Sequence, residues 1–252
     1  MVSSTHTDLN TEKTHLMTGP NDAHEVSIQE GYERWAAQYD QDDNALIVIE
    51  ERLTAPLLAP IRTTHVLDLG TGTGRYAIRL AAQGARVVGL DQSKAMLSIA
   101  QRAAERAGVQ IQFIQHSLNT VLPNELGNNS FDLIVTALAL CHVENLISVA
   151  SEAYRVLCPG GHILVTDFHP AVIAAGWRTQ FVDSGSTYLL PTAHHTRDDY
   201  LNALHSAGFH IQIVQEALVR EIPENAISRE LLDKDGDKPF CLVILASKPA
   251  ND

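Results

Sequence analysis

Basic residues are scarce in this chain. Lys and Arg number 18 against 30 Asp and Glu in 252 residues, a net charge of −12, and a surface of that sign repels phosphate backbones and anionic lipid alike. The composition argues against a nucleic-acid or membrane partner. Cysteine is also scarce: Cys141, Cys158 and Cys241 stand far apart, and no C-x-x-C pair is present for zinc or dithiol chemistry. Free thiols in a reducing, cytoplasmic setting are expected, and a reactive Cys141 would need a neighbouring cation that the sequence does not supply. No apolar run is long enough to span a bilayer, and no apolar stretch follows basic residues at the start. A soluble, unprocessed protein is expected. What the chain does have is 45% hydrophobic residues, enough for the core of one large domain.

The rest of the chain is organised around His65-Val66-Leu67-Asp68-Leu69-Gly70-Thr71-Gly72-Thr73-Gly74-Arg75-Tyr76-Ala77. A short apolar run ends at three glycines and gives way to Tyr76, Ala77 and Leu80 at helical spacing, which predicts strand, tight turn and helix. Glycines there bring a ligand against main-chain N–H groups at a helix N-terminus. Gly72, Gly74 and Ala77 also fit the dinucleotide pattern G-x-G-x-x-G/A. Downstream, Ala85-Arg86-Val87-Val88-Gly89-Leu90-Asp91 is a second strand ending in an acid, placed to accept from ribose hydroxyls. Asp68 separates the two readings, because an acid before the turn would repel a pyrophosphate and hold a cationic amino-acid tail.

Together with Phe131-Asp132-Leu133-Ile134-Val135 and Leu157-Cys158-Pro159-Gly160-Gly161, these motifs resemble the class I S-adenosylmethionine-dependent methyltransferases over roughly residues 25 to 248. The resemblance implies an α/β, doubly wound, Rossmann-like sheet of seven strands in the order 3-2-1-4-5-7-6, the last antiparallel. It implies S-adenosylmethionine as cofactor and methyl transfer to a small-molecule N, O or C acceptor, aromatic or heteroaromatic. The implied cofactor residues are Asp68, Gly70, Thr71, Gly72 and Gly74 on the turn and Asp91, Gln92 and Met96 after the second strand. Ser117, Leu118 and Thr136 complete the set, with Tyr32 and Tyr39 above. Ser117 departs from the family, whose usual Gly-Asp pair at that corner gives adenine a carboxylate. Thr136-Ala137 stands where metal-dependent catechol methyltransferases carry a magnesium-binding acid, so no metal is expected. An NAD-dependent oxidoreductase and a non-catalytic cofactor-binding protein are the alternatives.

Along the chain, residues 1–24 are polar and aperiodic and read as a flexible tail. Residues 25–60 read as an N-terminal helical lid: Ser27 and Glu30 form a capping box, and Tyr32, Trp35, Ala36 and Tyr39 share a helix face. The segment Gly31 to Asp40 resembles the lid of small-molecule methyltransferases. Asn44 caps a second helix to about Leu58. Residues 61–252 read as the methyltransferase domain, with helices from the glycine turn to Gly84, from Ser93 to Gly108, over 144–157 and from Thr196 to Gly208. Further strands are expected over 109–114, 131–136, 161–167, 209–218 and 239–246. The charged stretch 221–238 reads as a solvated hairpin loop, since the acid that a calcium loop requires would fall on Ile244.

Residues 168–195 are too long for a simple crossover and carry aromatics and histidines, which suits an acceptor pocket. Methyl transfer from a sulfonium is chiefly a matter of holding donor and acceptor in line, with a base required only when the acceptor carries a proton to be lost. His169 is the leading candidate, on Asp167-Phe168-His169-Pro170 at a strand end. His195 is second, before a helix start; His142, His194 and Tyr188 follow. A metal site on Asp167, His169, His194 and His195 matches no ligand spacing.

Overall fold

A computed structural model describes residues 23–41 and 44–250. The tail expected before residue 25 lies outside the described residues except for its last two. His24 belongs to a two-residue strand, β1 (His24–Glu25). The helix α1 (Ile28–Trp35) follows, with the Ser27 side chain accepting from Glu30 N. Glu30 itself turns to Arg34 at 3.0 Å. The helix is shorter than its aromatic spacing suggests, so Tyr39 sits on a separate 3-10 turn, Tyr39–Gln41. Asn44 caps α2 (Ala45–Leu58) through a bond from Leu46 N, and Pro56 falls inside its last turn.

The core then alternates β2 (His65–Leu69), α3 (Arg75–Ala82), β3 (Arg86–Asp91), α4 (Lys94–Ala107), β4 (Ile111–Gln115), β5 (Phe131–Ala137), α5 (Leu146–Val156) and β6 (Leu157–Phe168). After it come α6 (Pro170–Ala174), β7 (Gln180–Asp183), β8 (Ser186–Leu189), α7 (Arg197–Ala207), β9 (His210–Leu218), α8 (Arg229–Asp235) and β10 (Pro239–Ser247). The main sheet has seven strands in the order β4-β3-β2-β5-β6-β10-β9. Numbered within this sheet alone, that is 3-2-1-4-5-7-6, and β10 runs antiparallel to both neighbours. Side chains alternate between the faces as a pleated strand requires. Val66, Leu133, Val135 and Val243 join one core with α2 and α3, while Leu67, Leu69, Ile134 and Leu242 join the other with α5 and α7. Each of α4 and α7 ends on a glycine in the left-handed region, Gly108 and Gly208.

Two stretches differ from expectation. The charged segment before β10 is no solvated hairpin: Ser228 caps α8, and Asp235 is buried, accepting from the Trp177 indole at 2.7 Å. A buried carboxylate with an indole donor ties this excursion to the segment leaving β6. That segment itself contains the β7–β8 hairpin, turned by Ser184 and Gly185, both at positive φ. The hairpin pairs with β1 in a small three-stranded sheet. Trp35, Phe181 and Leu190 form a satellite core beneath it, with Tyr32, Tyr39 and Tyr188 packed around them. Residues 24–41 and the β7–β8 hairpin therefore pack together as one cap, while α2 and Trp177 belong to the main core.

Candidate functional site

The site lies where β2, β3 and β5 end, beneath the cap. At the glycine turn the N–H groups of Gly70 and Thr71 both donate to Leu90 O at 2.8 Å, which stitches the turn to the neighbouring strand. Gly70 has φ +74, and a Cβ there would lie 2.6 Å from Ala139 Cβ, so no other residue fits. Gly72, at φ +56, has nothing within 4 Å of a Cβ: its open side is the cavity. Asp68 accepts from Thr71 Oγ1 at 2.7 Å and from Ala77 N at 3.1 Å, and burial raises its pKa to about 6. Asp91 accepts from Gly72 N at 2.9 Å and Ser93 N at 2.8 Å, and burial pushes it above the usual carboxylate range despite these bonds.

A cavity of about 610 Å³ opens here, lined by Gly70, Gly72, Asp91, Gln92, Met96, Ser117 and Leu118. From the cap come Ile28, Tyr32 and Tyr39, and from the turn after β5 His142 and Val143. A second cavity of about 430 Å³ shares Tyr39, Gly70, Gly72, Ala137 and Leu138 with the first and reaches Asp68, Thr71 and Arg75. Among the described residues, no Lys or Arg lines the larger cavity. Arg75, in the smaller, is held by Glu50 at 2.8 Å and Glu51 at 3.0 Å. The buried Glu50 also takes the hydroxyls of Tyr76 and Thr166, which braces α2 against α3 and β6.

The cap closes on this end through polar contacts. Glu33 accepts from Lys94 N and Ala95 N at 2.7 and 3.0 Å, an anion on the first turn of α4. Thr73 Oγ1 donates to Asp40 at 2.8 Å. Tyr32 Oη lies 3.0 Å from His142 Nε2. Leu138, at φ +57, holds a left-handed backbone that a bulky residue adopts only at a cost, and it lines both cavities.

Several expected site residues lie elsewhere. Thr136 points into the apolar space between the sheet and α5 and α7, beside Tyr200, because residues of β5 alternate faces and only Ala137 reaches the cavity. Gly74 is the N-cap of α3, and a Cβ there would press on Ile78 and Ala100 rather than on a ligand. His169 caps α6, its Nδ1 accepting from Ala171 N at 3.0 Å, and its Nε2 faces Glu216 at 3.4 Å. Its predicted helper Asp167 turns to Tyr200 Oη at 2.9 Å instead, with burial raising its pKa to about 6. His195 donates from Nε2 to Val143 O at 2.6 Å, His194 is exposed, and Tyr188 stacks on Phe181 under Arg34. Of the candidate bases, His142 alone lines the cavity.

The sequence reading also missed residues of the lining. Ile28 stands one helical turn before Tyr32, a signal that the i, i+4 spacing carried. Asn119, on the loop after β4, and Val143 also line the cavity without any local pattern to mark them; His116 lines it too, just past the end of β4 where the strand-end rule places a site. Glu33 and the β7–β8 hairpin were missed as well, though Asp183-Ser184-Gly185-Ser186 is a two-residue turn signal.

Residues 67–165 match the family described as a methyltransferase domain. A demethylmenaquinone methyltransferase of Tropheryma whipplei (strain Twist) is 32% identical over 174 residues, which cover 67% of this chain and 69% of that protein. One from Thermus thermophilus is 37% identical over 108 residues, 42% of this chain, and the match spans about half, 48%, of the relative's length. The crystal structure of an S-adenosylmethionine-dependent methyltransferase from Mesorhizobium loti superposes with a TM-score of 0.62 at 27% identity, covering 79% of this chain and 97% of that one. The chain belongs to the class I S-adenosylmethionine-dependent methyltransferases. S-adenosylmethionine is the cofactor of that family, and the open face of Gly72 beside the Asp91 carboxylate is a cradle that fits its ribose.

Proposed function

We propose that this protein transfers the methyl group of S-adenosylmethionine to a small aromatic or heteroaromatic acceptor held between the glycine turn and the cap. The observation that carries the reading is the make-up of the larger cavity. Asp91 lines it together with apolar and aromatic side chains and the imidazoles of His116 and His142, and among the described residues no Lys or Arg does. A dinucleotide would bring its pyrophosphate to a lining that holds a carboxylate and no cation, so the arrangement favours a nucleoside carrying a positive charge. Asp91 would accept from the ribose hydroxyls, with Gly72 leaving room for the sugar and Leu118 and Met96 covering the base. Asp68, which lines the smaller cavity, would set the charge near the amino-acid tail. Tyr32 and Tyr39 would close over the donor, and an aromatic face attracts a sulfonium by roughly 0.5 to 2 kcal/mol.

When bound, the cofactor supplies an already activated methyl group, so the protein's task is to hold the acceptor in line and keep water out. Positioning of this kind is worth roughly 7 to 11 kcal/mol of barrier. The likeness to demethylmenaquinone methyltransferases suits a flat, largely apolar acceptor, as does the lining by Ile28, Tyr32, Leu138 and Val143. Incubation with methyl-labelled S-adenosylmethionine and a metabolite library tests the reading. Label is expected in a small aromatic product; binding of S-adenosylhomocysteine with no labelled product from any acceptor would leave a binding protein instead.

A further inference from the structure

We propose that the acceptor is a hydroxyl compound of the phenol class and that His142 Nε2 takes its proton, at the place where the Tyr32 hydroxyl stands in for it in the structure. This rests on the methyl-transfer reading and names its substrate class and its base. His142 ends the 3-10 turn Leu140–His142 that follows β5. Its Nδ1 lies 2.8 Å from the Pro191 carbonyl. A carbonyl oxygen only accepts, so Nδ1 carries the ring proton and Nε2 of the neutral imidazole is left as an acceptor. The Tyr32 hydroxyl, 3.0 Å away, therefore donates to it.

Both groups are neutral. Burial holds the imidazole below its usual pKa and the phenol well above its own. The cavity thus already contains one phenol docked on its imidazole, edge-on, with ring planes at 80° and centroids 5.6 Å apart. Tyr32 comes from the cap and His142 from the body, so an entering phenol can take the hydrogen bond as the cap yields. Among the described residues, His142 is the lining group already bonded to a phenol. Asp91 is held by two backbone N–H groups, His116 stands beside Ser117 on the loop after β4, and burial pushes the Tyr39 phenol up to about 12.

The step balances. The acceptor O–H bond breaks and its proton goes to Nε2. The oxygen's electron pair forms the bond to the methyl carbon, and the methyl–sulfur bond breaks with its pair left on sulfur, giving S-adenosylhomocysteine. The Pro191 carbonyl keeps its hydrogen bond to the imidazolium that results, which returns the proton to water after product leaves.

The experiment uses methyl-labelled S-adenosylmethionine with matched pairs, 2-naphthol against 2-naphthylamine and phenol against aniline, and with 4-nitrophenol, which is ionised at mildly alkaline pH. Only the hydroxyl members are expected to be methylated, on oxygen. H142A should lower turnover of 2-naphthol by about 10² to 10⁴ and that of 4-nitrophenol by less than about tenfold, since the second brings no proton to remove. Y32F, which keeps its ring in the lining and loses only the hydroxyl, should lower the acceptor KM. Titration with S-adenosylhomocysteine verifies that each variant is folded, with H142Q replacing H142A if the latter fails. Preference for the amines, no transfer to any hydroxyl compound by a chain that binds S-adenosylhomocysteine, or equal losses on naphthol and nitrophenol would each overturn the proposal and leave the cofactor site standing. Failure of the native chain to bind S-adenosylhomocysteine would instead bring down the reading beneath it.

Discussion

The two ends of the cavity are built differently. At the glycine turn the positions are set by backbone: N–H groups of Gly72, Ser93 and Ala77 hold Asp91 and Asp68, and Gly70 leaves room for Ala139. At the cap they are set by side chains. Trp35, Phe181 and Tyr188 stack in series at 5.3 Å spacings in a cluster separate from the two main cores. Glu33, Asp40 and Tyr32 are the polar contacts that fasten it to the body. A cluster of this size opens at less cost than the sheet beneath it. One end is preformed and the other can yield, which is what a site with a constant cofactor and a particular acceptor requires.

The comparison is broken most strongly from below. Glu50 is fully buried and braces α2 against Arg75, Tyr76 and Thr166 behind the glycine turn. Glu50→Ala strands the Arg75 side of that network and should lower stability by about 3 to 5 kcal/mol, read from the urea midpoint. An unchanged midpoint would mean that the preformed end needs no such brace.

The next effect is in pH. Asp167, buried beside Tyr200 of α7, has its pKa raised by burial to about 6, against about 4 in an unfolded chain. A raised carboxyl keeps its proton longer in the folded state, so its contribution is full below pH 4 and lost as pH rises to 6. The loss is roughly 2 to 3 kcal/mol. Asp167→Asn should flatten the fall in stability across that window, and Asp68, raised to about 6 in the same way, should supply the slope that remains. A variant whose stability falls as steeply as the native chain's would contradict the assignment.

Trp35→Ala tests whether the cap is a unit. It should speed amide exchange in both 28–35 and 180–189 while leaving the sheet protected, and S-adenosylhomocysteine with acceptor should slow exchange in those segments of the native chain. Faster exchange in α1 alone would separate the lid from the hairpin. The smallest effect is at Leu138, whose left-handed backbone a glycine would adopt freely: Leu138→Gly should recover about 1 kcal/mol locally while widening the junction of the two cavities, seen as weaker cofactor binding in a chain no less stable.

The same contrast explains what could be read from sequence. Glycines at fixed spacing, the acids Asp68 and Asp91 near the ends of two strands, and caps such as Asn44, Ser93 and Thr196 are local signals; the fold follows from them, and the proposed cofactor end rests on the same residues. The acceptor end depends on which side of a strand end a residue takes and what arrives from far along the chain. His169 follows β6 as expected, yet its Nδ1 is spent capping α6. His142 reaches the cavity because Pro191, 49 residues later, fixes its ring. Tyr39 and Tyr32 lie on different elements although their spacing fits one helix.

The central claim is that the preformed end holds S-adenosylmethionine through Asp91. Calorimetric titration of S-adenosylhomocysteine into the native chain and into Asp91→Ala tests it most directly. The native chain should bind, and the variant should lose roughly 1.5 to 3 kcal/mol for each hydroxyl bond to the missing carboxylate, a tenfold or greater fall in affinity. Equal affinity in the two proteins would contradict the account.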